Sequence, residues 1–132
     1  MPKKIFASLL LLALASPLLA ADSAPASAKQ LFQKDLTSVA GKELILLTVD
    51  YIPGGASMPH RHDAQVVVYV LEGAVTMQVK GQPAVTLHAG DTFYESPTDV
   101  HSVSANASKS APAKLLVFMV KDKGAPVTRA AE

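Results

Sequence analysis

The 132-residue chain contains no cysteine. That excludes disulfides, thiolate metal ligands, a thiol nucleophile and a lipidated cysteine. Any bound metal must be held by histidine, carboxylate or amide oxygen. An oxidising compartment suits such a chain, whose oxidisable side chains are its four methionines. Tryptophan is also absent, aromatics make up only 5%, and the formal charge is +1 with Lys and Arg scattered. Without a basic stripe or a stacking platform, nucleic acid is excluded as a partner. The apolar run Ile5 to Leu14 is too short, and too abruptly ended at Ser16-Pro17, for a membrane span of about 20 residues.

That run follows Lys3 and Lys4 and precedes the small residues Ala20 and Ala21, the pattern of a cleaved export signal. Residues 1–21 are therefore expected to be a signal peptide, and the mature protein to be periplasmic or secreted, nearly neutral and free of the membrane. Asp22 to Ala28 is small and polar and reads as a flexible leader, within a 22–40 region that also carries the first strand. Residues 41–122 form a single domain, since 49% hydrophobic content in so short a chain supports one core. The tail 123–132 reads as loose.

Within the domain the apolar segments are short and rich in β-branched residues, with Gly, Pro, Asn or Asp between them. Leu44–Ile52, Val66–Leu71, Val75–Lys80, Ala84–His88, Asp91–Glu95, Val100–Ser104 and Lys114–Val120 read as strands. Turn residues at Glu72-Gly73 and at Lys80 to Pro83 predict a hairpin over Val66–Lys80 followed by a third strand. Many short strands in about a hundred residues give an all-β sandwich or closed barrel. Ala107 to Ala113 is a loop inside it.

Three of the four histidines stand at strand ends: His60 and His62 after the Pro53-Gly54-Gly55 turn, and His101 after Ser96-Pro97. Side chains at i and i+2 of an extended strand share a face, so His60 and His62 can converge on one ion while Arg61 points away. Three neutral imidazoles suit Fe, Mn, Ni, Cu or Zn. His88 has no partner at ligand spacing and reads as a surface residue, with Asp91 stabilising its turn. Tyr51, Tyr69, Tyr94, Met58 and Met77 are either pocket walls or core filler.

The stretch GGASMPHRHDAQVVVYVLEG (residues 54–73) resembles the first motif of the cupin superfamily, and GDTFYESPTDVHSVSAN (residues 90–106) resembles the second. The resemblance covers Leu44 to Val120. It implies a double-stranded β-helix, or jelly-roll barrel, that commonly dimerises through its outer sheet faces, and a metal site on His60, His62 and His101. In the family a glutamate about seven residues before the first motif's last glycine usually completes that site; here the position is Val66. Ser96, Thr98 and the displaced Asn106 are smaller departures. Glu95, whose strand parity turns it inward with Phe93, is the favoured replacement as fourth ligand or proton-transfer group, ahead of Gln65, which needs a bulge to face the site. A rim carboxylate and an ordinary polar strand-end residue are the plain alternatives for the two.

Two functions remain from different classes. One is an exported metal-binding cupin with oxygenase-like or other small-molecule chemistry. The other is a non-catalytic ligand-binding or dimeric interaction module with structural metal or none.

Overall fold

The computed structural model describes residues 24–131, so the expected signal peptide lies outside the described residues. Ten strands follow in chain order: β1 (Ala26–Asp35), β2 (Lys42–Tyr51), β3 (His60–Arg61), β4 (Gln65–Glu72), β5 (Ala74–Val79), β6 (Val85–His88), β7 (Thr92–Glu95), β8 (His101–Asn106), β9 (Ala113–Asp122) and β10 (Arg129–Ala130). They form two five-stranded antiparallel sheets, ordered β1-β2-β9-β4-β7 and β10-β3-β8-β5-β6. Among the described residues there is no helix. The all-β double-stranded β-helix expected from the two motifs is the fold observed.

Period-two alternation decides which face each strand buries. In β4 the valines Val66, Val68 and Val70 are buried while Gln65, Val67 and Tyr69 face out. On β9 Leu115, Val117 and Met119 point inward, and on β2 Ile45 and Leu47 meet them. Val75 and Met77 of β5 close the core from the second sheet.

Three expectations are corrected. Val66–Lys80 is not a hairpin: β4 and β5 lie in different sheets, and the chain crosses between them at Gly73. Gly73 has φ +74°, and a Cβ there would lie 2.5 Å from the Pro112 carbonyl oxygen, so the crossing needs glycine for conformation and for space. A turn glycine signals both a hairpin and a change of sheet, which is why sequence did not separate them. The hairpin of this region joins β5 to β6, its ladder closing at Met77↔Val85.

The leader is ordered earlier than expected. β1 begins at Ala26 and pairs with β2 from Ala26↔Tyr51 to Asp35↔Glu43, with a register shift between Gln30 and Phe32. The gain is main-chain hydrogen bonding along the β2 edge rather than burial, since nearly all of β1 is exposed. A Cβ on Gly55 would lie 2.0 Å from the Pro25 carbonyl oxygen, so glycine there admits the incoming strand.

The tail is also structured. β10 pairs with β3 through Arg129↔Arg61 and Ala130↔His60. Its root is tied to the barrel by a buried ion pair between cross-strand partners, Glu43 and Lys121. The Lys121 ammonium also donates to the Ala125 carbonyl, and Gly124 N–H donates to Glu43 Oε1 at 3.1 Å. Lys121, then Gln33, hold the Glu43 carboxyl at a pKa of about 2. The loop after β8 is held by Asn106, whose amide donates to the Ile52 and Ala111 carbonyls and accepts from Ser108 N–H.

Candidate metal centre

The centre is assembled by strand register. His60 of β3 is the direct cross-strand partner of His101 of β8, which sets their ring centroids 5.1 Å apart. His62 is two residues on and shares the face of His60, with centroids 4.8 Å apart. Arg61 faces away and its guanidinium pairs with Asp63. Asp63 has φ +50°, a left-handed conformation that Asp tolerates better than most residues, and this turns the chain from the histidines into β4.

On β8 the buried residues include both His101 and Ser104, which strict alternation would place on opposite faces. The β5–β8 register explains this: Gln78 pairs with Val103 and Val79 with His101, so Ser102 is an extra residue that re-aims the strand.

One donor atom from each of His60, His62 and His101 lies within 4.8 Å of the others, little more than twice a metal–nitrogen bond of roughly 2.1 Å. Two of the rings are oriented by carbonyls. His60 Nδ1 donates to the Met58 carbonyl at 2.7 Å, and His62 Nδ1 donates to the Val127 carbonyl at 2.7 Å. A carbonyl only accepts, so each Nδ1 carries a proton, and in the neutral ring this tautomer leaves the Nε2 lone pair for a metal. Burial pushes the His60 pKa below the ordinary value, although the Met58 carbonyl pulls the other way, and this favours the neutral ring. His101 is buried, stacks on Phe93 with centroids 5.8 Å apart, and makes no well-aligned hydrogen bond at either ring nitrogen. Glu95 Oε1 stands 2.9 Å from its Nδ1 without good alignment, and its Nε2 has no partner. A buried ring nitrogen left open is costly unless something occupies it, so the three residues fit a shared divalent ion.

Glu95 is buried beside this cluster, with Oε1 2.9 Å from His101 Nδ1 and Oε2 4.0 Å from His62 Nε2. Burial alone would raise its pKa, but the contact with His101 and the pull of the three imidazoles outweigh that and hold it below the usual carboxylate value. The Cα of Glu95 is the cross-strand partner of Val66. The carboxylate thus stands one strand over from the position where the resemblance places a glutamate. Gln65 is not brought to the centre. It is exposed, and its side-chain oxygen accepts from the Tyr94 hydroxyl. The bulge that would have turned Gln65 inward does not form at the start of β4, whose register shift comes later, between Val70 and Glu72.

The histidines and Glu95 open into a cavity of about 320 Å³. Tyr51, Met58 and Met77 line it, whereas Tyr69 and Tyr94 lie on the exposed outer face. His88 is an exposed turn residue whose N–H donates to Asp91 at 2.8 Å, as expected. Sequence reasoning missed Ser57 and Ser104, whose hydroxyls flank the Tyr51 phenol at 2.9 and 2.6 Å. Proximity to the histidines in each motif was the available signal. It also missed the Val127 carbonyl, a backbone group that no side-chain pattern reports.

Residues 47–119 match the family described as Cupin domain. The chain belongs to the cupin family. No curated protein matches this cupin in sequence. Among solved structures it is similar to an uncharacterised conserved protein with a double-stranded β-helix domain from Klebsiella pneumoniae subsp. pneumoniae, at 18% identity and TM-score 0.65, covering 86% of this chain and 90% of that one. It also resembles a recombinant oxalate oxidase in complex with glycolate, at 21% identity and TM-score 0.61, over 80% of this chain and 55% of the other. A structure of DMSP lyases matches at 19% identity and TM-score 0.57, over 67% and 44%. The cupin spans about half the length of the oxalate oxidase and DMSP lyase chains, and at these identities the likeness concerns the fold.

Proposed function

We propose that this cupin is exported and holds one divalent transition metal, drawn from Fe, Mn, Ni, Cu and Zn, through His60, His62 and His101 to act on a small organic molecule. The observation that carries the reading is the convergence of three imidazoles within 4.8 Å, with His60 and His62 oriented by carbonyls and the buried His101 Nε2 without a partner. A bound ion of this kind supplies a Lewis-acid centre. The protein contributes the rest. The carbonyls of Met58 and Val127 fix two rings, Phe93 holds the third, and Glu95 places a negative charge and a proton acceptor beside them. The mainly apolar walls of the cavity would receive the organic molecule.

Elemental analysis of protein purified without an affinity tag and reconstituted with each metal tests this. Close to one ion per chain is expected. Less than about a tenth of an ion per chain with all five metals contradicts it, because a three-imidazole site holds at least one of them.

The outer face of the first sheet supports association as a homodimer. Tyr94, Val67, Phe118, Leu46 and Phe32 follow one another across its five strands as register partners, and all but Leu46 are exposed. Such a continuous apolar row suits an interface between copies.

Val66, fully buried where the resemblance places a carboxylate, favours a second reading: a non-catalytic binding module. The two separate on His62→Ala. Metal should raise the melting temperature of the wild type and not of the variant if the site is real, and of neither if the module binds no metal.

A further inference from the structure

We infer that the cavity is built for a neutral, mainly apolar molecule of modest size, with an oxygen for the metal and a separate hydrogen-bond donor for Ser57, and that it disfavours small dianions. The metal-binding end of this inference rests on the proposed function; the remainder rests on the cavity itself.

The walls are the first argument. Leu47, Val49, Val68, Leu115 and Val117 line the cavity, as does Met119. None of the lining residues is lysine or arginine, and the one carboxylate among them is Glu95. Nearby cations are committed elsewhere: Lys121 to Glu43 and the Ala125 carbonyl, and Arg61 and Arg129 to Asp63. A dianion would meet one metal ion, already faced by Glu95, a few neutral hydroxyls and otherwise apolar surface, with no second cation. Burying a charge without a partner is among the most costly acts in such a site. A volume near 320 Å³ lies at the small end of ligand pockets.

The hydroxyl cluster supplies the polar end. Ser104 Oγ donates to the Met77 sulfur at 3.4 Å. Either hydroxyl can donate in each Tyr51 contact, and the order that satisfies all three contacts with one proton each has Ser104 donating to the sulfur, Tyr51 to Ser104 and Ser57 to Tyr51. This order leaves the lone pairs of Ser57 Oγ, on the cavity wall, to accept from an O–H or N–H of the ligand.

The test uses zinc-loaded and metal-free mature protein, with zinc content measured on the same samples. The probes are 4-methylacetophenone, 4-(hydroxymethyl)acetophenone and oxalate, titrated by calorimetry. On the zinc protein both ketones should bind about tenfold or more tighter than oxalate. The hydroxymethyl compound should exceed the methyl one several-fold, an advantage lost in Ser57→Ala. Oxalate binding as tightly as the ketones, or a hydroxymethyl preference that survives Ser57→Ala, overturns the inference. If zinc does not bind, the titrations are repeated with whichever of Fe, Mn, Ni and Cu does; if none of the five binds, the proposed function fails and the metal-free arm still decides the cavity. Ketone binding without oxalate binding supports the apolar pocket, and binding of neither overturns it.

Discussion

Truncating the chain after Pro126 removes the carbonyl that orients His62 while leaving the anchor of the tail in place. Lost are the Val127 carbonyl at 2.7 Å from His62 Nδ1, the β10–β3 pairing, the bond from Ala131 N–H to the Pro59 carbonyl at 3.2 Å and the Arg129–Asp63 ion pair at 2.8 Å. Retained are the contacts of Lys121 with Glu43 and the Ala125 carbonyl. An outer partner of a metal-binding histidine is worth about 10–100-fold in metal affinity, or about 1.4–2.7 kcal/mol. The exposed ion pair contributes at most about 1 kcal/mol to stability, and partial burial of Val127 roughly as much again. The metal-free truncated protein should therefore stay folded and melt roughly 10 °C lower than wild type, while its zinc affinity, measured by competition with a chromophoric chelator, should fall 10–100-fold. Arg129→Ala, which loosens the tail without removing the carbonyl, should fall between the two. A folded truncated protein with unchanged zinc affinity would refute the role assigned to Val127.

Three more outcomes are expected. Glu95→Val should weaken metal binding, and adding Val66→Glu should return most of it, because cross-strand partners set their Cβ atoms about 4.5–5.5 Å apart; a double variant no better than the single one contradicts the carboxylate exchange. Glu43 has its pKa lowered from 4.5 to about 2, so its contribution to stability is complete above pH 4.5 and is lost as the pH falls toward 2; Glu43→Gln should melt lower than wild type at neutral pH, with the gap closing across that window in acid melts. Phe118→Glu, at the centre of the exposed apolar row, should convert a dimer to a monomer in sedimentation velocity, and a wild type that already sediments as a monomer contradicts the interface.

Much of this was legible in the sequence because it depends on period two. Alternation in β4 and β9 marked the core, and the same parity placed His60 with His62 and turned Glu95 inward. What alternation does not encode was missed. A first strand was expected within residues 22–40, but not its start at Ala26, because β1 exposes nearly every residue and has little hydrophobic pattern to read. β10 is two residues long and is fixed by pairing rather than by composition. Gly73 marks a turn without saying whether the next strand stays in the sheet. Ser104 faces the cavity because Ser102 is an inserted residue in β8, and insertions shift parity without a compositional trace.

The central claim is that three imidazoles from two separate stretches of chain share one ion. X-ray absorption fine structure of the zinc-loaded protein tests it directly. Imidazole scattering from three nitrogens at roughly 2.0–2.1 Å, falling to two in His101→Ala, is the result expected. A zinc shell without imidazole scattering, or one unchanged by loss of His101, would contradict it.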